Sequence, residues 1–143
     1  MRGSREWQNA MAPSLADIEA LAADAWDRLP AEFRKLCRDV VFRVEDFASD
    51  ETLDALDIES PFDLMGLYKG VSLDRKSVME QSLEPDMVFL YRRAILDYWA
   101  ESDELLGHLV THVLVHEIGH HFGLSDSDME SIEADTVAGA GEG

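Results

Sequence analysis

The chain has 143 residues, 46% of them apolar and 29% charged, which is typical of a single globular domain with its own core. Its formal net charge is −18, and residues 94–143 contain eleven Asp or Glu but no Lys or Arg. Because such a surface repels nucleic acids and anionic lipids, we expect neither as a partner. Residues 1–21 contain no apolar signal segment, and no run of 18 apolar residues occurs, so we expect a cytoplasmic protein.

The N-terminal part is predicted to be helical after a flexible lead-in at residues 1–13. Ser14, with Asp17 three residues later, is a pattern that begins helices, and apolar residues then recur at helical spacing. Pro30 ends this helix. A shorter helix is predicted over residues 31–38.

Three segments rich in β-branched and aromatic residues predict strands at residues 40–45, 64–71 and 87–91. A short helix capped by Asp50 is predicted over residues 50–58, between the first two strands. A polar loop is expected over residues 72–86. The third strand could lie at the edge of the sheet, where a peptide could add to it; plain core packing is the alternative.

The C-terminal half is predicted to be mainly helical. One helix is expected to include residues 94–100, and the next follows Ser102 as its N-cap, runs to about His121 and contains all five histidines. A last helix is predicted over residues 128–135, opened by a capping box of Ser127 and Glu130.

The order of these elements predicts one α+β domain over residues 14–136. A small sheet of about three to four strands would pack on the histidine-rich helix, with the other helices at its flanks. Residues 137–143 are rich in Gly and Ala and are predicted to be a disordered tail.

The most informative segment is residues 116–126, which read His-Glu-Ile-Gly-His-His-Phe-Gly-Leu-Ser-Asp. His116 and His120 are four residues apart, so both imidazoles project from one helix face and can bind one zinc ion. Glu117 is rotated by about 100° from His116, which places a carboxylate beside the metal. There it could accept a proton from zinc-bound water, so we predict Glu117 as the catalytic general base. This is the H-E-x-x-H arrangement of zinc-dependent peptidases.

A third metal ligand is expected downstream. Gly123 can end the helix in a left-handed conformation and turn the chain back, so that Asp126 approaches the ion. Asp126 is the first choice, and Glu130 or Glu133 of the following helix is the alternative. Two His and one carboxylate leave a position open for water, as a catalytic zinc site requires, and we expect one Zn²⁺ per chain.

Other side chains are candidates for supporting roles. His108, His112, His116 and His120 are each four residues apart and form a slanted stripe on a helix. A pair of His112 with His116 is a competing metal pair, but it lacks the adjacent Glu. Candidates for supporting the site or contacting substrate are His112, Tyr91 and Tyr98. Cys37, the single cysteine, is predicted to be a core residue.

The chain resembles a family of small bacterial zincin-like zinc metallopeptidases, minimal metzincin-like proteins with the pattern H-E-x-x-H-x-x-G-x-x-D. The stretches that carry this resemblance are residues 67–71 (LYKGV), 88–93 (VFLYRR) and 115–126 (VHEIGHHFGLSD). The resemblance implies a compact zincin core, metal binding by His116, His120 and Asp126, and Glu117 as general base. Metzincins also have a Met-containing turn below the metal, whereas here only Met129 follows the motif, in a predicted helix.

The function predicted from these residues is zinc-dependent hydrolysis of peptide bonds, with zinc-activated water and Glu117 as general base. The expected substrate is a peptide or protein, and the chain is expected to act as a monomer. One alternative is a metal-binding interaction protein with a zincin fold but no catalysis. Another is a purely structural zinc that holds the C-terminal helix, which would need a fourth protein ligand such as Glu130.

Overall fold

The computed structural model describes residues 4–37, 39–70 and 85–141. Within these ranges it contains helices, three strands and a 3₁₀ turn at Pro61–Asp63. In chain order the elements are α1 (Ser4–Gln8), α2 (Leu15–Arg28), α3 (Ala31–Arg34), β1 (Val41–Glu45), α4 (Asp50–Ala55), β2 (Gly66–Lys69), β3 (Met87–Tyr91), α5 (Arg92–Glu101), α6 (Leu106–His121) and α7 (Asp126–Gly141). The predicted α+β class is confirmed.

The sheet has the strand order β1-β3-β2. β1 runs parallel to β3, with Val41 opposite Met87, and β2 runs antiparallel to β3, with Gly66 opposite Leu90. β3 is therefore the central strand, and the prediction that it could be an edge strand is wrong. A parallel neighbour on one side and an antiparallel neighbour on the other use the backbone groups of both its edges. Among the described residues, β2 is an edge strand.

Helix α6 lies at the centre of the fold, where it contacts α2, α7, β2 and β3. A helix that is enclosed in this way is apolar around most of its circumference. Its buried residues are Leu109, Val110, Thr111, Val113, Leu114, Val115, Ile118 and Gly119. The histidines of α6 occupy its remaining, more open side.

Two predicted helix ends and the bounds of one predicted strand are confirmed. Ser14 and Asp17 form the predicted reciprocal capping box at the start of α2. Gly123 adopts φ +72°, the left-handed conformation that was predicted to end the motif helix. Met87–Tyr91 has the predicted strand bounds.

Other predicted caps are wrong. The Ser49 hydroxyl, not Asp50, caps α4 by accepting a hydrogen bond from the Thr52 amide. Ser125, not Ser127, performs this role for α7, because the Asp128 amide donates to its hydroxyl oxygen at 3.0 Å. In both helices the serine immediately before the first helical residue is the one whose side chain reaches the free amides of the first turn.

The bounds of other elements also differ from the predictions. α6 begins at Leu106 rather than just after Ser102, and α7 starts at Asp126 and continues to Gly141 rather than ending at residue 135. The predicted loop over residues 72–86 falls outside the described residues up to position 84. No helix in the described part of the chain is both long enough and apolar enough to cross a membrane.

Candidate metal centre

The site lies where α7 returns along α6. The two helices pack so closely that a Cβ added at Gly119 would lie 2.7 Å from Cγ of Met129, and Met129 is fully buried. Glu133 follows Met129 by four residues and therefore lies on the same face of α7, one turn further along. Because α7 runs back along α6, this next turn faces the turns of α6 that precede Gly119. These turns carry His116 and His112.

Three potential metal ligands meet there. Nδ1 of His112 lies 2.9 Å and 3.0 Å from the two carboxylate oxygens of Glu133. Nε2 of His116 lies 3.6 Å from Oε2 of the same carboxylate. One ligand atom from each of these residues lies within 4.8 Å of the other two. Two imidazoles and a carboxylate form a donor set that suits zinc, so the residues fit the metal.

The predicted ligands are distributed around this cluster. The ring centroid of His120 lies 5.6 Å from that of His116, with the two rings almost perpendicular, whereas the rings of His112 and His116 are 4.0 Å apart. Burial lowers the pKa of His116, and the carboxylate of Asp126 is near enough for its charge to oppose part of this lowering. Neither His120 nor Asp126 belongs to the three-residue cluster found among the described residues. The ligand set of His116, His120 and Asp126 remains a prediction.

Burial is the main cause of a lowered pKa at His116, and the charge of His112 lowers it further. The charge of Glu133 acts in the opposite direction without cancelling these effects. A lowered pKa favours the neutral imidazole, which is the form that binds a metal ion.

Glu117 lies beside the sheet, next to β2. A Cβ added at Gly66 of β2 would lie 3.2 Å from Cγ of Glu117 and 2.7 Å from Cγ1 of Val113. Gly66 therefore lets the edge strand approach the helix closely at the position of the predicted base. Burial raises the pKa of Glu117 to about 7. A carboxylate with such a pKa is well matched to accepting and returning a proton near neutral pH.

The two tyrosines that were candidates for the site differ in position. Tyr91 is buried, and its pKa is raised to about 12 by that burial and then by the charges of Glu45 and Glu117. Its hydroxyl group is thus within electrostatic range of the predicted base. Tyr98 is half exposed on α5. No hydrogen bond or ring contact in the described part of the chain joins Tyr98 to the site residues.

A separate group of residues, which includes buried Tyr68 and Asp86, packs at the C-terminal end of α6. The Tyr68 hydroxyl donates a hydrogen bond to buried Asp86, and the Tyr68 ring lies 4.4 Å from the ring of His121. Burial raises the pKa of the Cys37 thiol to about 11, so this cysteine is protonated at neutral pH and is a poor nucleophile. This agrees with the prediction that Cys37 is a core residue.

The sequence offered His112 with His116 as a competing metal pair and Glu133 as an alternative third ligand, but it did not bring all three residues together in one site. Two signals were present in the sequence. His112 lies one helical turn before His116, and Glu133 lies one turn after Met129, the only Met that follows the motif. Only the packing of α7 against Gly119 shows that these turns face each other.

The fold and the motif define a zincin-type protein, in which an H-E-x-x-H helix packs beside a small mixed sheet. The sequence pattern of the zincin-like metallopeptidase family matches residues 37–136, which include all three strands and the entire cluster. The chain therefore belongs to the zincin-like metallopeptidase family. No curated protein matches the chain.

Proposed function

We propose that this chain is a zinc-dependent peptidase in which Glu117 is the general base. The observation that carries the proposal is the position of Glu117 in the H-E-x-x-H helix. Its carboxylate is largely buried, has a pKa raised to about 7, and lies against Gly66 of an edge strand. A helix that only packs in a core has no need of a buried carboxylate at this position, because desolvating that group costs free energy.

His116 and His120 would hold the metal, with Asp126 as the first choice for the third ligand and Glu133 as the alternative. When bound, the zinc ion supplies a Lewis acid that polarises a carbonyl group and lowers the pKa of water. The lowered pKa of His116 keeps that imidazole available as a ligand.

Glu117 would accept a proton from water at its carboxylate and pass it to the leaving amine. The apolar surroundings of Glu117, which include Val113, raise its affinity for that proton. Tyr91 is the stronger of the two tyrosine candidates for assisting, because its pKa responds to the charge of Glu117.

The edge strand β2 offers a place for the substrate backbone. Its pairing with β3 leaves its other edge without a strand partner among the described residues. A peptide that adds there would form main-chain hydrogen bonds and extend the sheet beside Glu117. We therefore assign to β2 the role that sequence analysis had considered for β3. The substrate class is a peptide or protein, and the chain is expected to act as a monomer without nucleic acid or membrane partners.

The test is hydrolysis of a mixed-sequence peptide library by zinc-loaded protein, compared with Glu117→Gln. The variant should keep its zinc, because Glu117 is not a predicted ligand, and should lose hydrolysis by at least about 100-fold. Glu101→Gln, which removes an exposed carboxylate from α5, is the matched control and should hydrolyse like the wild type. Hydrolysis that survives in Glu117→Gln would refute the assignment.

A second function is favoured by one specific observation. The ligands that are already assembled, His112, His116 and Glu133, do not include Glu117 and join α6 to α7. A metal bound there would serve a non-catalytic interaction protein or fasten the C-terminal helix. That protein would bind its partner equally well with Glu117→Gln and would hydrolyse no peptide in either form.

A further inference from the structure

We propose that the chain offers its metal ion two alternative positions that share His116. The upstream position consists of His112, His116 and Glu133, and the downstream position consists of His116, His120 and Asp126. The inference rests on the proposed function, because it takes the downstream position to be the catalytic one. It adds a resting position for the same ion.

The geometry of the upstream position is close to that of a zinc site. Ligand atoms about 2.0–2.1 Å from a tetrahedral ion are about 3.3 Å from one another. The distance from Nε2 of His116 to Oε2 of Glu133 is 3.6 Å, and Nδ1 of His112 lies 2.9 Å from Oε1. These two distances are within about half an ångström of that value, and the three ligand atoms all lie within 4.8 Å of one another. Little reorganisation is needed, which favours binding.

The three side chains are also partly withdrawn from water. The side chains of His116 and Glu133 are both 23% exposed, and that of His112 is 41% exposed. An ordinary ion pair at the surface contributes little to stability. Here the Glu133 carboxylate of α7 faces two histidines of α6, an arrangement in which all three side chains can bind one metal ion. The more exposed His112 leaves this position open to solvent.

The two positions exclude each other. A neutral imidazole has one nitrogen with a free lone pair, so His116 can bind only one ion at a time. Its Nε2 is the nitrogen nearest to Glu133. An ion at the upstream position is therefore unavailable at the downstream position, and the chain is expected to bind one ion in total.

The upstream position is expected to be inactive in hydrolysis. Cγ of Glu117 lies 3.2 Å from a Cβ added at Gly66 of β2, whereas His112 and His116 meet Glu133 of α7, so the base and the upstream position lie against different elements of the fold. An ion held by His112 and Glu133 thus lies away from the base. Transfer of the ion to His120 and Asp126 would activate the site.

Zinc titration against a chromophoric chelator tests the two positions, together with the visible spectrum of the cobalt-substituted protein. The wild type should bind one ion. His120→Ala should keep one ion with an affinity within about tenfold of the wild type, while hydrolysis is lost. His112→Ala and Glu133→Gln should still bind one ion, about 10–100-fold more weakly and with an altered cobalt spectrum. The double variant His112→Ala/His120→Ala should lose the ion.

Two matched controls separate ligand loss from general damage to the helices. His108→Ala removes a histidine from α6 one turn before His112, and Asp135→Asn removes an exposed carboxylate from α7. Both should bind zinc like the wild type. Circular dichroism should show that all variants retain the wild-type helix content.

The possible outcomes distinguish the two proposals. If His120→Ala loses the ion while His112→Ala and Glu133→Gln bind normally, the inference is refuted and the proposed peptidase site stands. If His112→Ala alone abolishes binding, no downstream position exists, and both the inference and the catalytic ligand set are refuted. A wild-type protein that binds no zinc would also refute both.

Discussion

Gly119→Ala should destabilise the protein although it introduces a better helix former. Replacing a helical Gly by Ala favours the helix by up to about 1 kcal/mol. At Gly119 the new Cβ would lie 2.7 Å from Cγ of Met129 and closer still to its sulfur atom. Met129 is fully buried, so its side chain cannot swing into solvent and α7 must shift instead.

The cost of such overpacking is typically about 1–3 kcal/mol, which exceeds the gain in helix propensity. We therefore expect a net loss of about 1 kcal/mol in the free energy of unfolding. For a domain of this size, that lowers the melting temperature by about 2–4 °C. A shift of α7 would also move Glu133 away from His112 and His116, so zinc affinity should fall in the same variant.

Gly107→Ala is the matched control, because it makes the same change in the same helix. The nearest side-chain atom to a Cβ at Gly107 is Cδ2 of Leu21 at 3.9 Å, an ordinary contact. This variant should be as stable as the wild type or more stable by up to about 1 kcal/mol. Thermal unfolding of metal-free protein measures both changes. A Gly119→Ala variant at least as stable as Gly107→Ala would refute the packing argument.

In metal-free protein, burial raises the pKa of Glu117 from 4.5 to about 7, so its carboxyl group lowers stability as pH rises between these values. Glu117→Gln should therefore be about 2 kcal/mol more stable than the wild type above pH 7 and equal to it below pH 4.5, as measured by urea unfolding. Tyr68→Phe removes the hydroxyl group that donates to buried Asp86 and should cost about 1–2 kcal/mol in the same assay. Gly123→Ala forces a left-handed φ of +72° on a residue with a Cβ and should cost about 1 kcal/mol in thermal unfolding.

Each of these three predictions has a clear contrary result. A stability difference between Glu117→Gln and the wild type that does not change with pH would contradict the buried-carboxylate argument. Tyr98→Phe, at an exposed tyrosine, should leave the free energy of unfolding unchanged. An equal loss of stability in Tyr98→Phe would mean that the hydrogen bond from Tyr68 to Asp86 is not the cause. No atom lies within 4 Å of a Cβ at Gly123, so steric contact cannot explain a loss of stability in Gly123→Ala. Gly123→Asn should be less destabilised, because Asn tolerates the left-handed conformation, and equal losses in the two variants would contradict the strain argument.

The motif helix could be predicted from the sequence because its signals are local. The four-residue spacing of His116 and His120 defines a helix face, and Gly123 supplies the conformation that ends the helix. The capping box of Ser14 and Asp17 is equally local, since both partners lie within one turn. Each of these features depends on residues close together in the chain.

The order of the strands required the tertiary structure. The sequences of β1, β2 and β3 show that each is half-buried or buried, but a strand's pattern does not identify its neighbours. Placing β3 between the other two depends on pairing across 46 residues, from Val41 to Met87. The sequence therefore left β3 as either an edge strand or a strand packed in the core, and the pairing shows that it is the central one.

The sequence by itself determined which side chains share one face of the histidine helix, because helical geometry relates residues three and four apart. It also determined the family pattern that the chain matches. Only the tertiary structure decided that Glu133 meets His112 and His116, since this depends on the position of α7 along α6. That position is set by the close contact of Met129 with Gly119, an interaction between helices that the residue spacing within either helix cannot specify.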